Sequence, residues 1–257
     1  VITSPAITAW AQQAPWSTRA QVEQDLILSR LIVEIANHPY LGRELVFRGG
    51  TCLHKLHLNP PRRYSEDLDY VRSTATGIKE LMHSLTELGK SLDFDVRTQM
   101  SMNPKVYLLA EVEEGLSMRI KVEINTYERS PSNPLVLMHY AVDSSWWSGS
   151  GEIQTFSPAE LVATKIRALY QRKKGRDLFD LWLALTELRI PPNEILEAFE
   201  PYRPVGLTAK LAEENLRDKA IDAEFRNDLN LLVREWPSGY NITDAAELII
   251  SALHKHL

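Results

Sequence analysis

The chain has 257 residues, 34 of them acidic and 29 basic, for a net charge of −5, so a wholesale basic surface is excluded and any nucleic acid must be held by a local patch. An apolar fraction of 44% beside 25% charged residues is that of a globular protein, and no run approaches the roughly 20 apolar residues that span a bilayer, so no membrane partner is expected. The single cysteine, Cys52, excludes an internal disulfide and fits a cytoplasmic location; the opening residues carry no signal-peptide pattern, and the missing initiator Met predicts trimming.

The length suits two compact lobes. Ser17 and Thr18 precede apolar residues Val22, Leu26, Ile32, Ile35 and Ala36 at helical spacing, with Pro39 beyond the end, which predicts an amphipathic helix. A short strand at 45–47 leads through a glycine turn into a helix at 51–58, stopped by Asn59-Pro60-Pro61. A strand is expected at 67–71 and a helix at 77–92, followed by a meander of strands at 93–98, 105–112 and 117–125. The stretch 143–151, rich in serine and glycine, reads as a linker. That divides the chain into an α/β domain at 1–151 and a helical domain at 152–257, with helices expected at 158–172, 175–189, 192–200, 207–217, 220–235 and 242–256. The predicted class is α/β (α+β), a mixed sheet followed by a helical lobe.

Three groups in the first lobe carry chemistry. Gly49-Gly50-Thr51, between strand and helix, is a candidate phosphate cradle: glycine allows close backbone approach and helix-initial amides attract anions, with Thr51 as a hydroxyl donor and Lys55 one turn on. Asp67 and Asp69, two apart on a strand, project to one face, where Mg²⁺ (or Mn²⁺) relieves their repulsion. In 119–125, Arg119, Lys121, Glu123 and Asn125 alternate with Ile120, Val122 and Ile124, which makes Glu123 a third metal carboxylate. Carboxylates on neighbouring strands beside an anion-binding turn are what two-metal phosphoryl transfer from an NTP co-substrate needs. Cys52, His54 and His57 do not share a helical face, so a transition-metal site there is not expected.

The residues Gly49-Gly50-Thr51-x-Leu53-x-Lys55 and Arg63-Tyr64-Ser65-Glu66-Asp67-Leu68-Asp69 resemble the signature of AbiEii/AbiGii-type nucleotidyltransferase toxins, and Lys165-Ile166-Arg167-Ala168-Leu169 and Arg176-Asp177-Leu178-Phe179-Asp180 resemble that family's other two motifs. The resemblance implies a polymerase-β-like nucleotidyltransferase fold, a toxin encoded beside a cognate antitoxin and acting in phage defence or growth arrest, and catalytic roles for Asp67, Asp69, Lys165 and Asp177. The MenT relatives transfer nucleotides to the 3′ end of tRNA, which makes tRNA the expected RNA acceptor.

Lys165 would meet nucleotide phosphates, and Arg172, Lys173, Lys174 and Arg176 form the candidate patch for an RNA backbone. Asp180 is placed to hold Arg176 or Lys165. Ser65 belongs with the phosphate-binding set, and a phosphate on its hydroxyl would add about two negative charges beside the carboxylates and switch the site off. Trp146 and Trp147 suit either a base or partner contact or the pinning of the linker. Two other functions fit the same residues: transfer to a protein or small molecule, and a non-catalytic nucleotide-binding regulatory module.

Overall fold

A computed structural model of the chain describes residues 2–111 and 117–257. They fall into two compact units: Val1–Ser130 with Leu135–Phe156, and Pro131–Pro134 with Ser157–Leu257.

The first unit opens with helices α1 (Ser4–Trp10) and α2 (Arg19–Asn37). The start of α2 is fixed by a reciprocal cap, in which Thr18 Oγ1 accepts from the Gln21 amide at 3.2 Å and the Gln21 side chain accepts from the Thr18 amide at 3.1 Å. Its buried stripe, which includes Val22, Leu26, Ile32 and Ile35, packs on the sheet. A short helix α3 (Leu41–Glu44) leads to strand β1 (Leu45–Arg48), then α4 (Gly49–Cys52), which continues as a π-helical turn over Leu53–His57. Strand β2 (Asp67–Arg72), helix α5 (Lys79–Ser91) and strands β3 (Asp95–Gln99), β4 (Lys105–Glu111), β5 (Ser117–Asn125), β6 (Val136–Asp143) and β7 (Ser148–Thr155) complete it. Residue 112, the last of the strand expected at 105–112, lies outside the described residues.

Among the described residues seven strands form one mixed sheet, in the order β3-β4-β5-β2-β1-β7-β6. The expected meander is present as antiparallel β3-β4-β5. The sheet then turns on two parallel contacts, β2 with β5 and β1 with β7, which join segments distant in sequence. In β5 the apolar alternation holds: Ile120, Val122 and Ile124 are buried.

The linker expectation at 143–151 is corrected. This stretch is the tight end of the β6–β7 hairpin, with Asp143 opposite Ser148 and Ser150 opposite Ala141. Its composition reflects close packing. A Cβ on Gly151 would lie 2.8 Å from Asn37 Oδ1, and Asn37 Nδ2 donates to the Ser150 carbonyl at 2.9 Å, so the small residues let the end of α2 touch the strand. Trp146 and Trp147 sit under Arg30 of α2, whose guanidinium lies 5.2 and 5.5 Å from their rings, which pins the turn. The chain leaves this unit after Phe156, five residues later than the expected boundary.

The second unit is helical: α6 (Pro158–Gln171), α7 (Gly175–Thr186), α8 (Pro192–Phe199), α9 (Ala209–Ile221), α10 (Ala223–Asn227) and α11 (Ile242–Ala252). Ser157 caps α6 through the Glu160 amide, with Pro158 at the first helical position. Glu160, fully buried, accepts from the amides of Ser132 and Asn133 at 2.7 and 2.9 Å and from the Tyr202 hydroxyl at 2.6 Å, which holds the Pro131–Pro134 segment in this unit. The helix expected at 220–235 is broken: Asp222 ends α9 and caps the short α10 by accepting from the Phe225 amide, after which the chain turns and leaves Leu231 exposed.

Candidate active site

Register places the acidic residues. Across antiparallel β1 and β2, Arg48 lies opposite Asp69; across parallel β2 and β5, Asp69 lies opposite Glu123 and Asp67 opposite Lys121. Residues opposite one another across strands share a face, as do residues two apart on one strand, so Arg48, Asp67, Asp69, Lys121 and Glu123 project together. The turn after β1 is fitted to this face. Gly49 has φ of +83°, which glycine adopts without cost, and a Cβ there would stand 2.3 Å from Asp69 Oδ2. The Asp69 carboxylate therefore sits directly on the backbone of the glycine turn. The helix starting there has its first-turn amides free of intrahelical acceptors, and its π turn is an irregularity common at functional sites.

The electrostatics are those of a site that lacks positive charge. Burial raises the Asp69 carboxyl above its ordinary range, the Asp67 charge raises it further, and Arg48 and Lys121 offset only part of this. Asp67 is raised as well, by burial and by Glu66 and Glu123, against the opposing pull of Lys121. Two half-buried carboxylates held in like-charge proximity suit a hard divalent cation, which takes one or two carboxylates and completes its shell with water and phosphate oxygens. Asp67 and Asp69 fit that role. Glu123 is placed beside them but is engaged by two lysines: Lys121 Nζ lies 3.0 Å from Glu123 Oε2 and 3.0 Å from Asp67 Oδ2, and Lys105 Nζ lies 3.9 Å from Glu123 Oε2. Among the described residues no group of three or more acidic, histidine or cysteine side chains is arranged to hold one ion. Burial disfavours the Lys121 charge, but the Asp67 and Glu123 carboxylates outweigh it and hold the ammonium above its usual range.

The other sequence candidates of this unit are largely committed elsewhere. The Thr51 hydroxyl reaches the Asp67 carbonyl at 2.5 Å and Ser65 Oγ at 2.9 Å, so it ties the helix to the start of β2 and is not free to donate to a phosphate. Ser65 is half-buried in that contact, and Gly50 packs under Arg63 and Ser65. Lys55 turns to α2, where its Nζ lies 2.5 Å from Asp25 Oδ1 and 2.9 Å from Ser29 Oγ. Asp25 also accepts from the indoles of Trp10 and Trp16 at 2.8 Å each. Burial lowers the basicity of Lys55, and the Asp25 charge more than restores it. Lys55 is thus placed in a buried polar knot that fastens the N-terminal helix. Cys52 packs against Thr155, with its Sγ 3.1 Å from Thr155 Oγ1.

In the second unit Lys165 is buried among carboxylates, 2.8 Å from Asp180 Oδ2 and 3.6 Å from Asp177 Oδ1. Both aspartates are fully buried on α7, and Arg172 makes a two-pronged contact with Asp177 at 2.6 and 2.8 Å. The structure brings together Lys165, Asp177, Asp180 and Arg172. It does not leave the basic cluster free. Lys173 pairs with Asp222 and Glu224 at 3.1 Å, Lys174 lies 3.7 and 3.6 Å from Glu224 and Asp228, and Arg176 bonds Asp228 at 3.1 Å. The RNA patch expected at Arg172, Lys173, Lys174 and Arg176 is an ion-paired seam between α7 and α10 with the turn after it.

A model of the AbiEii family, described as a nucleotidyl transferase toxin of a type IV toxin–antitoxin system, matches residues 30–246. The chain belongs to the AbiEii nucleotidyltransferase toxins. It is therefore a transferase, and a cognate antitoxin is the partner its family implies. Among solved structures, MenT4, a nucleotidyltransferase toxin from Mycobacterium tuberculosis, superposes with a TM-score of 0.68 at 16% identity, covering 100% of this chain and 91% of that one. That likeness shows the fold. An antigenic nucleotidyltransferase-like protein from Paracoccidioides brasiliensis is also similar, with a TM-score of 0.40 at 16% identity over 83% of this chain and 94% of that one. No curated protein matches in sequence. No helix among the described residues of this AbiEii protein is long and apolar enough to cross a membrane.

Sequence reasoning assigned no role to Arg48 or Lys121, the two cations that bracket the acidic face. Lys121 was visible as one member of an alternating polar strand, but its partner on β2 depends on a parallel register that local pattern does not encode.

Proposed function

We propose that this chain transfers a nucleoside monophosphate from an NTP to the 3′ hydroxyl of an RNA, with tRNA the preferred acceptor. The observation that carries the reading is the Asp67–Asp69 pair, both raised by burial and by neighbouring acidic charge, with Asp69 seated on the Gly49 turn. In the reaction the acceptor O3′ bonds to the α-phosphorus and gives up its proton to solvent, the bond from that phosphorus to the bridging oxygen breaks, and pyrophosphate leaves with the electron pair. A divalent cation, Mg²⁺ or Mn²⁺, would be held by Asp67 and Asp69 and would supply positive charge to the α-phosphate and the departing pyrophosphate.

The protein's own residues do the rest. Asp69 and Asp67 hold the fixed negative charge that recruits the cation, and Arg48 and Lys121 limit their repulsion until it arrives. The amides that follow Gly49 face the phosphates. In the second unit Asp180 and Asp177 act as positioning residues that fix Lys165, whose Nζ lies 2.8 and 3.6 Å from them.

Incubation with Mg²⁺, total tRNA and each α-labelled NTP in turn tests this. Label on RNA, lost in Asp69→Ala, is the expected result. Absence of label on RNA with all four nucleotides overturns it, and label on protein or on a small molecule selects a different acceptor.

A further inference from the structure

Within the first unit, positive charge beside the carboxylates lies on the sheet. One cross-strand row runs Asp67, Lys121, Tyr107, Arg97 over β2, β5, β4 and β3, all in register and therefore on one face. Lys105 belongs to the adjoining row, opposite Glu123, and Arg119 lies two residues before Lys121 on the same face. Arg119 is exposed, has no carboxylate partner among the described residues, and lays its guanidinium 5.3 Å from the centre of the Tyr107 ring. The Tyr107 hydroxyl donates to Gln99 Oε1 at 2.9 Å, which fixes the ring. Together Glu66, Asp67, Lys105, Tyr107, Arg119 and Lys121 line a groove of about 360 Å³ whose one end is the metal carboxylate Asp67.

We infer that this groove receives the 3′-terminal, single-stranded segment of an RNA acceptor, a subsite that rests on the reading of RNA as acceptor given above. Grooves that hold single strands combine cations tracking the phosphates with an aromatic face on which a base stacks, and this one presents both in the direction leading away from Asp67. Arg119, which meets no carboxylate among the described residues, meets a backbone phosphate, and a base stacks at Tyr107 with Arg119 beside it. The terminal hydroxyl then lies at the Asp67 end. A duplex is not suited to the groove, because stacking on Tyr107 requires an unpaired base.

Fluorescence anisotropy of a labelled oligonucleotide ending in single-stranded CCA, in Mg²⁺ and without NTP, tests the inference. Both Arg119→Ala and Tyr107→Ala are expected to weaken binding about ten-fold, with Tyr107→Phe retaining it because the ring is kept. Arg119→Ala should also lower the slope of log affinity against log salt by about one phosphate contact. Calorimetric binding of Mg²⁺–NTP should be unchanged in all three. Wild-type binding that persists undiminished in both alanine variants overturns the groove alone. Loss of NTP binding in the variants overturns it in favour of a nucleotide pocket. A wild-type chain that binds neither this oligonucleotide nor total tRNA removes the RNA-acceptor reading itself. Far-ultraviolet circular dichroism of each variant secures that the fold is intact.

Discussion

The acidic face of the first unit and the charged seam of the second treat ionisable groups in opposite ways. On β2, Asp67 and Asp69 are set side by side in partial burial, with their cations too few or too far to restore ordinary behaviour, and both carboxyls are raised. In the second unit Lys165 meets Asp177 and Asp180, and Arg172, Lys173, Lys174 and Arg176 each meet an acid. Charge left in conflict marks where a ligand is to supply the missing counterion, whereas charge resolved in pairs serves position or packing. The contrast is open to direct attack.

The largest expected effect is on catalysis in the first unit. Asp69→Asn keeps the shape of the side chain and removes one of two repelling charges, so transfer should fall on the order of 10³-fold while the metal-free protein becomes more stable. Label transfer and thermal unfolding in EDTA measure the two. A fall in both would show that the carboxylate supports the fold, and the contrast would be lost.

Lys165→Met is predicted to do the reverse. It leaves Asp177 and Asp180 fully buried without the lysine between them, and breaking such a pair costs about 3–5 kcal/mol. Urea unfolding should show that loss together with loss of transfer. Unchanged stability would mean that Arg172 alone satisfies the two acids.

Acid sharpens the comparison because the units should respond with opposite sign. His254, buried near the chain's end, is pushed down to about 4 by burial, with a partial offset from a hydrogen bond with the Ala212 backbone. Its folded value lies below the unfolded one, so its stability is fully present above about pH 6.5 and is lost as pH falls toward 4, a loss of about 3 kcal/mol. Asp67 and Asp69 are raised, so their contribution is fully present below the ordinary carboxylate value of 3.8 and is lost as pH rises through their folded values. Unfolding titrations of His254→Leu and Asp69→Asn between pH 4 and 7 should each flatten one arm of this profile. The same sign in both would defeat the reading.

How much of this was legible in sequence follows from how far apart the partners lie. The helix start at Ser17 and Thr18 is a local pattern, and the buried alternation of Ile120, Val122 and Ile124 is a property of one strand; both are legible in the sequence. The Asp67–Asp69 pair was visible for the same reason, since two residues apart on a strand is one face. Lys55 reads as a phosphate ligand in sequence because its acid, Asp25, sits 30 residues earlier on another helix. The Ser/Gly stretch at 143–151 resembles a linker in sequence because composition does not separate glycine that bends from glycine that makes room for Asn37. Register between β2 and β5, which puts Lys121 on Asp67, is fixed only by the assembled sheet.

The smallest expected effect tests the other side of the contrast. Arg172, Lys173, Lys174 and Arg176 resemble an RNA patch because the sequence displays four cations within five residues, while the acids that answer the last three, Asp222, Glu224 and Asp228, lie about fifty residues on and Arg172 turns to Asp177. A cation already spent on a carboxylate releases little when a phosphate replaces that carboxylate, because one ion pair is exchanged for another and the freed acid repels the incoming strand. The double variant Lys173→Ala, Lys174→Ala should therefore bind the labelled oligonucleotide within about two-fold of wild type, with an unchanged salt slope, whereas removal of Arg119, which meets no carboxylate among the described residues, should cost more. A salt slope lowered by two in the double variant would show that the seam opens to nucleic acid, and would move the acceptor's path from the sheet to the helical unit.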